Sequence, residues 1–461
     1  MKPTKTIILA AGHGTRMVSE KPKVLHEVAG KAMLDYVIDA SKDAGIDDIA
    51  VVVGYKADVV RAALPEGVLA YEQRDQLGTG HAVMQALPFL DNFDGNVLIL
   101  VGDAPLIRGE TLTGLIQIHE DGDFAATVLT AIFDNPTGYG RIVKEGDELV
   151  RIVEQKDASE TEAAIKEINA GMYCFDAKAL RESLSKITNN NAQQEYYLTD
   201  TIEILRKDGL KVGSYPTPDV DDIAAVNSRV QLAQIAEIMK KRINTAHMNA
   251  GVTIIDPQST YLSPDTKIGK DTVVYPGVIT EGKVVIGENC IIGHNSRIVN
   301  STISDNVDIQ ISTILESTVG EGSHIGPYAY LRPNSRIGKD VKVGDFVEVK
   351  NAEMKDGAKA SHLTYIGDAE VGRNVNLGCG TVFVNYDGVN KFKTVVEDNC
   401  FIGCNTNLVS PVTVKEGSYV AAGSTITEDV PGASLAVARA RQVNKEGYAK
   451  KMKQYHGKKE D

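Results

Sequence analysis

Hydrophobic positions obey two different rules along this 461-residue chain. Up to about residue 227, unbroken apolar runs alternate with segments of helical spacing. TIILAAG (6–12), DIAVVVG (48–54) and GNVLILVGD (95–103) are aliphatic throughout. Such runs mark strands covered on both faces of a sheet. Between them, MLDYVIDASKDAG (33–45) has the spacing of an amphipathic helix closed by a glycine. The alternation predicts a doubly wound, Rossmann-like α/β domain over 1–227. Its ligand crevice is expected outside the carboxyl ends of the strands. Residues 228–250 place Val230, Ile235, Ile238, Met239 and Ile243 near helical spacing, predicting a linker helix.

Beyond residue 251 the helical pattern gives way to a period of six. Ile268, Val274, Ile286, Ile292 and Ile298 share one phase, with Thr280 in the gap. Ile325, Leu331, Ile337, Val343 and Val349 form a second set, and Ile402, Leu408, Val414, Val420 and Ile426 a third. A hexapeptide period held this long predicts a parallel β-helix over 251–461, and a left-handed coil is expected of it. The phase breaks around 300–320 and 351–400, where corner loops are expected to project. The basic C-terminal stretch from Arg439 reads as a short helix or tail.

Composition narrows the function classes. Hydrophobic residues at 43% and charged residues at 24% are those of an ordinary globular protein. A formal net charge of −13 argues against non-specific nucleic-acid binding, yet leaves room for a local cationic pocket for phosphates. The five cysteines are scattered without a Cys-x-x-Cys spacing, which fits a reducing, cytoplasmic setting and buried structural thiols. The short apolar run at the start ends in a glycine loop, so no signal peptide is read there, and no stretch has membrane-spanning length.

GHGTRM (12–17) lacks the third glycine of the dinucleotide fingerprint, and the P-loop ending is absent. Gly12 and Gly14 can nevertheless bring backbone N–H groups close to an anion, with Arg16 and Lys23 adding charge for a polyphosphate. QLGTGHA (76–82) repeats the glycine theme. Asp103 ends the third apolar run. A carboxylate there suits Mg²⁺ bridging phosphate oxygens, and reads equally well as a turn cap. In the second half, Arg332, Lys350, His362 and Tyr365 lie outside the aliphatic phase, so they can face solvent or a neighbouring subunit. His362 is the candidate base for acyl transfer to an amine, although a histidine in ASHLTY taken alone reads as an ordinary surface residue.

Taken in order, LAAGHGTRM, PKVL, QLGTGHA, VGDAPL, PTGYGRI, IVEQKDA and EINAGMY resemble the sugar-1-phosphate nucleotidylyltransferases. With FVEVKNA, SHLTYIGDAEVG, NLGCGT and NYDGVNKFKT added, essentially the whole chain is similar to a bifunctional bacterial family. That family combines N-acetylglucosamine-1-phosphate uridyltransfer with glucosamine-1-phosphate N-acetyltransfer, and its product is UDP-N-acetylglucosamine. The resemblance implies UTP and acetyl-CoA as co-substrates, Mg²⁺ as cofactor and a homotrimer. It implies that Leu9, Ala10, Ala11, Gly12 and Lys23 contact the nucleotide, with Arg16 on its phosphates. Gln73, Gly78 and Thr79 would read the uracil, Asp103 and Asn227 would hold Mg²⁺, and Gly140, Glu154 and Asn169 would bind the amino sugar. On the acetyl side it implies Arg332, Lys350, Tyr365, Asn376 and Lys391 around glucosamine-1-phosphate. Cys379, Asn385, Tyr386, Cys404, Ala422 and Arg439 would line the acetyl-CoA path. Ala104, Ala170 and Gln194 depart from the family pattern. Two other readings stay open on the residues: a monofunctional nucleotidylyltransferase with a scaffolding β-helix, or a tail that binds a polymer or partner.

Overall fold

The computed structural model describes residues 2–146 and 148–451. The chain divides into two compact units, with the division between Arg242 and Ile243, within the helix Arg229–Asn249.

Unit 1 is built on one mixed sheet. In chain order its strands are β1 (Thr4–Ala10), β2 (Ile49–Val53), β3 (Leu69–Glu72), β4 (Asn96–Val101), β5 (Ala126–Ile132), β6 (Gly140–Glu145), β7 (Glu148–Val153), β8 (Glu167–Asp176) and β9 (Val212–Pro216). They lie in the order β9-β5-β8-β4-β1-β2-β3, with the β6–β7 hairpin joined through β6 to β8. β3, β2, β1 and β4 run parallel. β8 inserts antiparallel between β4 and β5, which the apolar runs did not reveal. The runs are continuous because each strand feeds two cores. Val97 and Ile99 of β4 enter one, Leu98 and Leu100 the other. Strand order reverses between β1 and β4, so their carboxyl ends open a crevice there. Helices α1 (Met33–Asp43), α2 (Thr79–Gln85) and α3 (Gly109–Asp121) help cover the sheet, and α1 stops just before Gly45 at φ +82°.

The long helix α4 (Arg229–Asn249) buries Ile235 and Met239, whereas Val230 of the expected stripe is 68% exposed. The correction has a physical reason: Val230 lies in the first turn, and the buried side begins a turn later. Near its end, the buried Asn244 amide donates to the carbonyls of Pro257 (2.9 Å) and Thr260 (3.0 Å).

Unit 2 is a left-handed parallel β-helix whose three faces are sheets of eleven, nine and nine short strands among the described residues. In-register pairing stacks one aliphatic residue on the next: Ile292, Ile309, Ile325, Val343, Ala360, Leu377, Ile402 and Val420 form one such column. All three hexapeptide sets point inward, with Ile268 at the end only partly buried. Corners carry left-handed Asn, Asp or Gly, such as Asn289, Asn295, Asn306 and Asp340, since these residues tolerate positive φ.

The loops expected around 300–320 do not project. The coil runs on through Ile303, Ile309, Ile314 and Val319, all buried, and the phase slips because three corners are one residue shorter. Within 351–400 the real insertion is confined to residues 385–393, closed by a Tyr386–Lys391 bridge. The C-terminal stretch from Arg439 holds only a 3₁₀ turn at Ala449–Lys451, and residues 452–461 lie outside the described part. Of the thiols expected to be buried, Cys174, Cys290 and Cys400 are, but Cys404 is exposed and Cys379 half-buried.

Leu331 stacks between Ile314 and Val349 with no exposure. Leu331→Ala is expected to cost about 2–5 kcal/mol, because the narrow prism cannot collapse onto the gap. A urea unfolding titration checks this, and an unchanged midpoint would contradict the stacking argument.

Candidate active sites

A cleft of about 310 Å³ opens at the β1/β4 switch point. Leu9, Ala10, Ala11, Gly12, Lys23, Gln73, Gly78, Thr79 and Asp103 line it, as do Gln76, Val24, Ala82, Val101 and Glu195. Glu195 was not foreseen; it arrives from a loop more than a hundred residues away, with only the EYY sequence as a signal. The Lys23 ammonium bonds to Asp103 and donates to Asn227 Oδ1 at 3.2 Å, so three distant segments converge on one cation.

Local geometry explains the glycines. Gly14 sits at φ +62°, and a side chain there would collide with the Lys23 stem. Gly78 sits at φ +109°, where a Cβ would lie 2.6 Å from the Tyr196 carbonyl. Gly12 has open space instead, leaving its backbone free at the mouth of the cleft. Gln76 donates to the Ala11 carbonyl (2.7 Å) and Gln73 to that of Gly78 (3.0 Å), tying the two glycine loops together. Thr79 Oγ1 accepts from the Leu198 amide (3.1 Å). Arg16, in the 3₁₀ turn Thr15–Met17, is exposed, does not line the cleft and has no ion-pair partner among the described residues.

Gly140, Glu154 and Asn169 gather on the β6–β7–β8 side. Gly140 pairs with Asn169, and Glu154 Oε1 lies within 3.6 Å of where a Gly140 side chain would begin. Asn169 is held by its bonds to Tyr173 Oη (2.8 Å) and the Gly171 amide (2.9 Å). Burial pushes the Glu154 carboxyl up, against a partly offsetting bond from Thr199, and the nearby Asp157, Asp200 and Glu195 push it further. Asp200 is raised to about 6, mainly by burial and then by Glu203 and Asp157. Of the departures from the family pattern, Ala104 is fully buried, Ala170 packs against a core, and Gln194 adopts φ +57°, where a glycine would be unstrained.

In unit 2, His362 is 55% exposed, and its Nδ1 lies 2.6 Å from Asp345 Oδ1. That bond holds the Asp345 carboxyl below its usual range. Asp345 and His362 occupy one register position on successive coils, and the same position continues as Cys379, Cys404 and Ala422. The Cys379 carbonyl accepts from Asn405 and the Cys404 carbonyl from Gly423, with Arg439 close beside Gly423. One corner of the prism therefore carries a carboxylate, an imidazole and a strip of small residues.

The neighbouring face holds the cations. Arg332 donates to Glu348 at 2.8 Å, and Lys350 lies 3.5 Å from Asp368. Burial would raise Asp368, but bonds from Asn351, Asn385 and Lys350 outweigh it. Lys391, from the projecting loop, is held below its usual range by Lys350 and, more weakly, Arg332. Tyr365 and Asn385 meet over Gly367. Asn385 thus sits with the cationic group rather than in the Cys379–Cys404 column, while Tyr386 is exposed on the loop. Asn376 lies apart, on another face between Lys359 and Phe401.

Fold and sites together define a nucleotidyltransferase joined to a hexapeptide acyltransferase. Residues 5–237 match the Nucleotidyl transferase family, 254–354 the GMPPB C-terminal domain and 393–428 the bacterial transferase hexapeptide (six repeats). "Bifunctional protein GlmU" of Alkaliphilus metalliredigens is 57% identical over 96% of this chain and 97% of its own length. Its namesake in Clostridioides difficile is 57% identical over 98% of both chains, and that of Acetivibrio thermocellus 54% identical over 97% of both. The chain belongs to the bifunctional GlmU family, and the expected pair of activities, uridyltransfer and acetyltransfer to amino-sugar 1-phosphates, is borne out.

The raised Asp200 carboxyl carries a stability prediction. Its protonated form is favoured in the fold, so the stability it contributes is full below about pH 4 and lost as pH rises through about 6. Asp200→Asn imitates the protonated form. The variant should match the parent near pH 4 and exceed its stability above pH 6, as read by denaturant titrations across that range.

Proposed function

We propose that the unit 1 cleft binds UTP and N-acetylglucosamine-1-phosphate, and that the His362 corner of unit 2 acetylates glucosamine-1-phosphate first. The observation that carries the second site is the Asp345–His362 pair on an exposed corner, since a scaffold has no use for an oriented imidazole there.

In unit 1 the two glycine loops hold the nucleotide, while the pocket of Gly140, Glu154 and Asn169 orients the sugar so that its phosphate oxygen meets the α-phosphorus in line. Lys23 offsets charge at the α-phosphate. Arg16, free at the rim, swings onto the departing pyrophosphate. Asp103 and Asn227 are the residues that would hold Mg²⁺. Their oxygens already converge on one cation, the Lys23 ammonium, and two protein ligands suit an ion that fills its remaining positions with phosphate and water. No group of three His, Cys, Asp or Glu side chains suited to a metal occurs among the described residues, in keeping with such an open site. Bound there, Mg²⁺ would neutralise the charge of the transferring phosphates.

In unit 2, Arg332, Lys350 and Lys391 bind the sugar phosphate beside Tyr365, and His362 takes the proton of the attacking amine. Asp345 holds the ring for that task. The Cys379–Cys404–Ala422 column, with Tyr386 and Arg439 flanking it, forms the acetyl-CoA path; the thiols serve as small residues, not nucleophiles. Asn376 completes the site from a neighbouring copy in a homotrimer. Its position on another face supports this, as do the exposed stacked pairs Tyr328–Phe346 and Phe401–Tyr419. The unpaired thiols support a cytoplasmic setting.

His362→Ala should lose acetylation while keeping uridyltransfer, measured in separate assays on the full chain. Retained acetylation would remove His362 as the base. Arg16→Ala should lower uridyltransfer by about 100-fold or more, the order of a charge contact made in the transition state, with little change in melting temperature because the side chain is exposed. Near-normal turnover would take Arg16 out of the reaction.

A further inference from the structure

Behind the Asp103–Asn227 pair lies a charge cluster, buried only at its centre, that takes no part in the contacts described above. Asp222 is fully buried. Its Oδ1 accepts from Arg108 Nε at 2.8 Å and from Arg242 Nη2 at 2.9 Å, and its Oδ2 from the Thr111 hydroxyl. Both arginines also reach Asp219 Oδ2, each at 3.1 Å. The other arm of Arg242 donates to the Leu106 carbonyl at 2.7 Å.

These contacts join three segments. Leu106, Arg108 and Thr111 belong to the stretch that leaves β4 directly after Asp103. Asp219 and Asp222 belong to the stretch that ends in Asn227. Arg242 belongs to α4. The first two segments are bonded beside the site, where the Val226 amide donates to the Asp103 carbonyl at 2.9 Å. α4 also fixes Asn227 directly, since Gln231 Oε1 accepts from its backbone amide at 2.8 Å.

A fully buried carboxylate is costly unless every lone pair is used, and removing it strands two guanidinium groups. Such a cluster is poor evidence for stability but a good geometric lock. Each Asp222 oxygen accepts from the Arg108–Thr111 stretch at the start of α3, so the spacing between that stretch and the 219–227 segment has one satisfied value. The same spacing sets the distance between Asp103 and Asn227.

We propose that Asp222 is a positioning residue that fixes the separation of Asp103 and Asn227 through Arg108, Thr111 and Arg242, and so sets the divalent-cation affinity of the uridyltransfer site. The inference rests on the reading of Asp103 and Asn227 as the cation ligands. It assigns Asp222 no contact with substrate. Residues that orient metal ligands typically change affinity by about 10- to 100-fold when altered.

The test uses the full chain, Mn²⁺ as probe and UTP present, with free Mn²⁺ followed by electron paramagnetic resonance. For Asp222→Asn, Mn²⁺ affinity should fall about 10- to 100-fold, and the Mn²⁺ concentration giving half-maximal uridyltransfer should rise in step. Acetyl transfer by the same preparation should stay at the parental level. Wild-type Mn²⁺ affinity in Asp222→Asn overturns the proposal, and so does a loss of acetyl transfer equal to the loss of uridyltransfer. Arg242→Lys keeps the charge but not the fork; it should shift Mn²⁺ affinity in the same direction, and it serves if Asp222→Asn does not fold. Asp103→Ala separates the two claims. If it binds Mn²⁺ normally, the ligand assignment itself has failed. If it loses Mn²⁺ while Asp222→Asn and Arg242→Lys do not, only the positioning role has failed.

Discussion

Parallel strand pairing in strict register is the constraint on which both halves of this protein depend. In unit 1 it brings the ends of β1 and β4 side by side, so that the glycine loop after one faces Asp103 after the other. In unit 2 it repeats every coil, so that a residue at one corner is placed over its counterpart in the next. Slipping the register would leave the apolar positions without partners, and the buried columns forbid it. The sites inherit that rigidity without building it themselves.

Charge is then distributed on these frames by need. Lys23, Asp103 and Asn227 hold one another in the unit 1 cleft, and burial and mutual repulsion push the Glu154 and Asp200 carboxyls up. In unit 2 the cations are crowded, with Lys391 pressed below its usual range by Lys350. Such crowding would be relieved by a bound anion. In a protein of net charge −13, Lys23 is thus the one cation among the described residues lining the unit 1 cleft, beside Asp103 and Glu195, whereas unit 2 gathers several cations on one face.

Periodicity made most of the fold legible. The six-residue phase marked the inward face of the prism, because the narrow core takes one mostly aliphatic side chain from each face of every coil. The same pattern misled at 300–320, since a corner one residue shorter moves the phase without opening the coil. The antiparallel β8 was hidden for a related reason: a strand buried on both faces reads alike in either direction. Motif residues of the cleft came together as expected. Arg16 did not: its side chain is exposed in the Thr15–Met17 turn, and neither its residue type nor its spacing encodes where it points.

The amino-acid sequence by itself determined which residues can do chemistry, where the chain changes from α/β alternation to hexapeptide coils, and which family it belongs to. Those features are local, and each is written in spacing and residue type. Only the tertiary structure decided the pairings across long separations: Lys23 with Asn227, Asp345 with His362, Glu195 in the cleft, Asn385 beside the cations, and the Asp222 lock. Such contacts depend on sheet order, corner lengths and side-chain burial, and no local pattern in a chain encodes the partner that folding will bring from a hundred residues away.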